Sequence, residues 1–495
     1  MTSTPALALS KHDDNETCHD IRADMESLMK LAAGALMCAL IILLSACLGS
    51  DADPTATATS APEAATATEQ PAATPTIANP TATTAAAPTV AAPTSAPATA
   101  STPTTAAATA TPGEQVSDIE VQLAGVAAIV AEIRGLEWLE DVGVTIVSRQ
   151  GMQEYLLDLL EADYSAEEAR QDSQLLWLLR LMNDPELDIH ELYSDLLAES
   201  VAGLYDTETQ EILTLGEGDG LTPLAAMIMA HEYTHALQDQ HYGLDSLRPD
   251  DLDSEARFAM QALTEGDAEI VRTLYLFDHM SREDLLAIMS DPALDSEIPE
   301  DVPAYLLEIN YFPYTSGAEF AAYLYQRGGF EAIDAAYADP PLSTEQILHP
   351  EKYAGPERDN PVLVELPDFG GALGEGWVEI QNDVIGEFDL RILLRENGAS
   401  DFTQAAAGWG GGRYLFYTSG ESGIVINGVA WDSDEDREEF DEAFLSTLEG
   451  MLESGGIYDD GAGRFHTLIQ YERLSVFMAS NDREALQRAI SVLVG

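Results

Sequence analysis

Lysine is nearly absent from this 495-residue chain: Lys11, Lys30 and Lys352 are all it has. With arginine they make 22 basic side chains against 87 acidic ones, a formal net charge of −65. That excludes a nucleic-acid binder relying on a basic face, which needs clustered Lys and Arg to neutralise phosphates. It also argues against docking on anionic lipid through a polybasic patch. The carboxylate surplus fits a high-salt habitat, where an acidic surface keeps a protein soluble. It fits an acidic extracellular protein equally well. Cysteine is the second scarcity. Cys18, Cys38 and Cys47 all lie near the N-terminus and the rest of the chain has none. A disulfide-stapled body, a Cys-ligated structural zinc and an iron–sulfur cluster are therefore excluded there. What is abundant is ordinary: 46% of residues are apolar, enough for one large domain or two ordinary ones.

The N-terminal region reads as an address and an anchor. Residues 31–44 form an apolar run (LAAGALMCALIILL) behind Lys30, followed by Ser45, Ala46 and Cys47. This is the pattern of a secretory signal, too short for a comfortable transmembrane helix. Leu44-Ser45-Ala46-Cys47 resembles a bacterial lipobox, so Cys47 is expected to carry lipid and hold the protein to the membrane outside the cytoplasm. An uncut membrane anchor is the alternative. Residues 1–28 are acidic and polar, unlike a signal's n-region, which points to translation starting at Met29 or Met25. Residues 1–47 are thus extension, signal and lipobox, and 48–114 are an Ala/Thr/Pro-rich linker expected to be disordered. Roughly 60 such residues at ~3.1 Å each reach about 190 Å when fully extended.

Apolar periodicity predicts helices over 117–140, 150–162, 166–182, 187–204, 254–278, 281–290 and 316–326, with strands at 142–148 and Glu211–Leu215. Thr222 and Pro223 open a further helix as N-cap and first-turn proline, and Gly243 ends it. Beyond Pro361 the texture changes to short β-prone runs (VLVEL, RYLFY, GIVINGVAW, FHTLIQYERLSVFMA) alternating with helices at 434–453 and 482–493. Trp409 and Gly410-Gly411-Gly412 read as a loop with a hydrophobic plug. The expected layout is a mainly helical body over 115–360 and a C-terminal α+β domain over 361–495.

The chemical signal is His231-Glu232-Tyr233-Thr234-His235. Positions i and i+4 of a helix point the same way, so two imidazoles converge on one ion, at the ~2.0–2.1 Å that zinc requires. Glu232 beside them reaches a metal-held water as general base. The other reading is a solvated polar face. A catalytic zinc site takes a third protein ligand and keeps an open position. Glu265, in Thr264-Glu265-Gly266-Asp267-Ala268 on the next long helix, can supply that ligand if the helix folds back antiparallel. Small Gly266 and Ala268 would let it approach the first helix closely. Glu269, one turn on, faces the same way and can orient a ligating imidazole. Asp267 is out of phase. His241 is the rival third ligand, at the spacing of HExxHxxGxxH, but Gln238 stands where that pattern has glycine. A continuing helix then carries His241 about 240° round from His235.

His231-Glu232-x-x-His235 with the downstream Glu-Gly-x-Ala resembles the gluzincin zinc metallopeptidases. HEYTHALQDQHYGL followed by ALTEGDAEIV, with VAGLYDTET before and STEQILHPEKY after, is similar to a family of secreted bacterial and archaeal zincins. The resemblance implies a zincin-like catalytic domain with a small edge-strand sheet, zinc held by His231, His235 and Glu265, and Glu232 as base. It also implies that Glu211–Leu215 is the edge strand pairing with an extended peptide, with loose sequence preference. A partner for the oxyanion is sought among His349, Tyr314, Tyr311 and Tyr353, His349 and Tyr314 being the leading candidates; each also reads as a structural residue. The acidic string 432–442 reads as a solvated helix face, with calcium binding as the alternative. The functional expectation is a lipid-anchored, extracytoplasmic zinc metallopeptidase acting on peptides or proteins. Its rival is a surface binding or assembly lipoprotein that keeps zinc without turnover.

Overall fold

The computed structural model describes residues 76–78, 118–200, 203–215, 220–249, 252–294 and 302–495. The apolar run at 31–44, Cys47 and nearly all of the linker lie outside these residues. No helix among the described residues is long and apolar enough to cross a membrane. The architecture is α+β. One tripeptide of the linker, β1 (Thr76–Ala78), pairs antiparallel with β5 (Leu363–Glu365).

The N-terminal part is mainly helical: α1 (Asp118–Arg134), α2 (Arg149–Asp163), α3 (Ala166–Leu178), α4 (Ile189–Ser200), α5 (Pro223–Tyr242), α6 (Ser254–His279), α7 (Arg282–Ile288), α8 (Ala304–Gly328) and α9 (Phe330–Ala338). Local chemistry sets the ends of the site helices. Thr222 caps α5 by accepting from the Ala225 N–H, Pro223 opens its first turn, and Gly243 closes it at φ +66°, a left-handed conformation that favours glycine. Asp253 caps α6 by accepting from the Ala256 N–H. The run expected as one helix over 187–204 instead ends at Ser200, and Gly203–Asp206 becomes strand β3. Gly203 faces Ile228 of α5 so closely that a Cβ there would lie 2.9 Å from the Ile228 Cγ2. The helix expected over 316–326 begins much earlier, at Ala304, and carries Pro313 within it.

A three-stranded sheet lies beside α5, in the order β2-β4-β3. β4 (Glu211–Leu215) is parallel to β2 (Gly143–Val147) and antiparallel to β3, so it is the central strand. The expectation that β4 is a free edge is therefore corrected: both its edges are paired and the edges of the sheet are β2 and β3. α6 crosses α8 with backbones in contact. A Cβ on Gly266 would sit 2.1 Å from the Gly317 carbonyl oxygen, and one on Gly317 would sit 2.2 Å from that of Ala262. Gly266 thus serves the contact with α8, not the expected approach to α5.

The C-terminal part is a seven-stranded sheet, β6-β7-β8-β12-β11-β10-β9, with every pairing antiparallel. Its strands are β6 (Val378–Asp383), β7 (Trp409–Ser419), β8 (Ser422–Trp431), β9 (Leu452–Ser454), β10 (Ile457–Asp459), β11 (Phe465–Gln470) and β12 (Leu474–Ser480). The glycines at 410–412 do not form a loop but start β7, with a bulge after Trp409. There a Cβ on Gly412 would meet the Ile385 carbonyl oxygen at 2.0 Å, so glycine is what permits the approach. Trp409 is fully buried and donates its indole N–H to the same carbonyl at 2.9 Å. One hydrophobic core runs through both parts. Phe258 of α6, Phe312 of α8 and Phe388 of the C-terminal part pack together with ring centroids 4.5 to 5.4 Å apart.

Candidate active site

α5 and α6 pack side by side and bury a polar cluster between them. His231 Nε2 lies 3.0 Å from Glu265 Oε2, His235 Nε2 lies 3.3 Å from the same oxygen, and the two Nε2 atoms are 2.9 Å apart. Three ligands held at 2.0–2.1 Å around a tetrahedral centre are roughly 3.3 Å from one another. The triangle therefore has nearly the size of a three-ligand cage. Its atoms carry lone pairs, and three convergent lone-pair donors without a hydrogen-bond donor among them repel unless a proton or cation sits between them. Two imidazole nitrogens and one carboxylate oxygen, with further coordination positions left open, are the donor set of catalytic zinc sites.

The second nitrogen of each imidazole faces an acceptor, by hydrogen bond for His235 and by ion-pair contact for His231. His231 Nδ1 faces Glu269 Oε1 at 3.2 Å, and Glu269 in turn accepts from Arg272. His235 Nδ1 donates to Gln238 Oε1 at 2.9 Å. Gln238 cannot be turned over, because its Nε2 donates to the Thr264 carbonyl and to Asp267 Oδ2, both at 3.0 Å. Protons on Nδ1 leave both Nε2 lone pairs pointing at the cage. The network continues inward: Asp267 Oδ2 accepts from Arg134 Nε and from the Tyr337 hydroxyl, both at 3.1 Å, and Arg134 also pairs with Asp334 at 2.7 Å. Arg134 has no exposed side-chain surface and lies over the Phe330 ring.

Electrostatics favour positive charge in the cage. Burial disfavours a charged His231, but the hydrogen bonds and charges of Glu265 and Glu269 outweigh it and carry its pKa up to about 10. His235 is raised too, against burial, chiefly by Glu265. Burial alone would raise Glu265 and Glu269; His235 and His231 hold the first well below the usual carboxylate range, and Arg272 with His231 lowers the second. A field that favours the charged form of both imidazoles also attracts a divalent ion, which binds in place of any proton on Nε2.

The cage opens into a cleft with apolar walls that include Leu204, Met227, Ile228 and Leu244. Glu232 lines the cleft beside the cage, and its Oε2 accepts from the Tyr205 N–H at 2.8 Å. That N–H belongs to β3 and points away from β4, so the strand edge facing the cleft is Gly203–Asp206. Tyr314 of α8 stacks over His231, ring centroids 6.0 Å apart. Burial, then the charges of Glu265, Glu232 and Glu269, push its hydroxyl pKa well above the usual value and keep it protonated.

Other expected residues fall elsewhere. His349 does not reach the cleft; its Nε2 meets Glu387 at 3.0 Å and Arg391 at 3.2 Å, so its place in the turn before Pro350 serves the junction with the C-terminal part. The Tyr353 hydroxyl donates to the Asp339 carbonyl, and Tyr311 is not among the cleft residues. His241 Nε2 meets the Glu137 carbonyl oxygen at 2.8 Å on the exposed side of α5, as helical phase requires. Asp432, with Glu345 and Asp359, forms a second acidic group, but Lys352 Nζ fills it at 2.6 to 3.3 Å. Sequence reading missed Gln238, Arg134 and the β3 edge. Arg134 had left a trace: it follows Val126 and Val130 at four-residue spacing on the buried face of α1, where a charge requires a buried partner.

A family model described as a domain of unknown function (DUF8575) matches residues 376–486, the span of the seven-stranded sheet and its helices. No curated protein and no solved structure matches the chain. The match does not include the cage.

Proposed function

We propose that this chain is a zinc-dependent peptidase with a zincin-like catalytic domain, in which His231, His235 and Glu265 hold the metal and Glu232 is the general base. The observation that carries the reading is the buried triangle of His231 Nε2, His235 Nε2 and Glu265 Oε2, with edges of 2.9 to 3.3 Å, beside a carboxylate on an open cleft. Zinc bound there supplies Lewis acidity to a peptide carbonyl and to the water that attacks it. Glu232 takes a proton from that water as the C–O bond forms and delivers it to the leaving amine as the C–N bond breaks. Tyr314, kept protonated by its surroundings, donates to the oxyanion that develops on the carbonyl. The outer edge of β3 pairs with the backbone of an extended peptide, so recognition depends little on side chains there. Cys47 and the following linker, in this reading, tether the enzyme outside the cytoplasm as a lipoprotein.

The test is zinc content and cleavage of a broad peptide library by the full chain and by Glu232→Gln. Both proteins are expected to hold one zinc, and the variant to lose at least about 100-fold in rate. A zinc-loaded parent that cleaves nothing in the library overturns the peptidase reading in favour of a surface binding or assembly protein.

A further inference from the structure

The cleft contains two arginines, Arg248 and Arg272. Arg272 is buried and engaged with Glu269. Arg248 is different. It is partly exposed, and among the described residues its side chain has no carboxylate partner and no hydrogen bond. Arg134, Arg358, Arg391, Arg395, Arg437 and Arg464, also partly or wholly withdrawn from water, each hold an acidic partner, while Arg180 donates to the Thr447 carbonyl and hydroxyl and Arg257 keeps a buried Nε without a hydrogen bond; of these unpaired arginines, Arg248 is the one that lines the cleft. The backbone fixes where Arg248 stands. Gly243 turns the chain out of α5, a single 3-10 turn follows at Leu244–Leu247, and the Arg248 N–H closes that turn on the Asp245 carbonyl at 3.2 Å. Leu244, from the same turn, and His235 share the cleft with it.

We propose that Arg248 is a specificity residue that receives a substrate carboxylate, and that the peptides this cleft takes carry one, either as a C-terminus or as an Asp or Glu side chain. The proposal rests on the peptidase reading. A guanidinium matches a carboxylate with two parallel N–H···O bonds, and partial burial strengthens them. The other cleft-lining charges do not compete for Arg248: Glu265 is held between the two histidines, and Glu232 by the Tyr205 N–H. The net charge of −65 repels acidic peptides at long range. A preference for a carboxylate must therefore arise from a local cation in the cleft.

The experiment uses the zinc-loaded full chain carrying Glu232→Gln, so that binding is read without turnover, with cleavage by the parent followed in parallel. The probes are fluorescent peptides in matched pairs: free C-terminus against C-terminal amide, and internal Glu against Gln. One of the two carboxylates is expected to tighten binding about tenfold or more over its neutral match. Which pair shows the effect identifies the source. Arg248→Met is expected to abolish the difference and Arg248→Lys to restore part of it, with zinc content and melting temperature unchanged in both. Equal binding of both pairs by the Glu232→Gln protein, full discrimination retained in Arg248→Met, or no binding of any probe overturns the proposal. If carboxylate discrimination appears but the parent cleaves no probe, the peptidase reading fails and Arg248 stands as a binding residue. Cleavage without discrimination sinks the Arg248 assignment alone.

Discussion

Replacing Arg134 by Met removes the cation at the inner end of the network behind His235. Asp267, with no exposed side-chain surface, then keeps Gln238 Nε2 and the Tyr337 hydroxyl as donors but has no positive partner. Removing one member of a buried ion pair costs about 3–5 kcal/mol, because the other charge stays out of water. The contact to Asp334 adds little, since that carboxylate is 40% exposed. Arg134→Met is therefore expected to lose about 3–5 kcal/mol in urea unfolding at pH 7, with an unchanged m-value. Asp267→Asn in the same chain removes the stranded charge, and its amide oxygen still accepts from Gln238. The double variant is expected to regain about 2 kcal/mol or more. Zinc affinity carries the second readout. A loosened Asp267 releases Gln238 and with it the His235 ring, so Arg134→Met is expected to bind zinc on the order of tenfold more weakly, with recovery in the double variant. A double variant no more stable than Arg134→Met refutes the buried-charge argument. Unchanged zinc affinity in the single variant shows that the network stops short of the metal site.

Glu269→Gln leaves the three proposed ligands in place but removes the negative charge facing His231 Nδ1, and competition against a chelator is expected to show about 10- to 100-fold weaker zinc binding; equal affinity would remove Glu269 from that role. Gly266→Ala places a methyl 2.1 Å from the Gly317 carbonyl oxygen and is expected to cost about 3 kcal/mol as α6 and α8 are forced apart. A melting temperature within a degree of the parent would contradict that crossing. Asp172, buried and accepting from Tyr164 and Gln381, has its pKa raised to about 6 by burial against those two donors. Between about pH 4 and 6 the folded chain holds a proton that the unfolded chain has released, so stability falls as pH rises through that window, by about 3 kcal/mol in all. Asp172→Asn is expected to lack this slope in denaturation series from pH 4 to 7, and parallel curves for the two proteins would rule Asp172 out as its source.

Much of the site was legible because helical spacing is a local rule. His231 and His235 converge whenever 223–242 is helical, and Thr222, Pro223 and Gly243 set its ends through their own backbone chemistry. Glu265 and Glu269 share a face of α6 for the same reason. The misreadings came where distant segments decide. Gly203–Asp206 became a strand because β4 offered it a ladder and α5 pressed on Gly203. β4 lost its place as the edge because β2 pairs with it from residues far earlier in the chain. His349 sits between two short helices, Thr344–Leu348 and Pro350–Ala354, and faces Glu387, a partner that no local pattern reveals.

By itself the sequence determined most of the helices before 300, the caps of α5, the converging imidazoles and the scarcity of cations, since these follow from bonds and spacings a few residues long. Only the tertiary structure decided which strand borders the cleft, that Gln238, Asp267 and Arg134 stand behind His235, and that Arg248 stands in the cleft without an acidic partner among the described residues. The physical reason is that burial and charge pairing belong to groups brought together across the fold, and the cost of leaving a buried group unpartnered is set by neighbours remote in the chain.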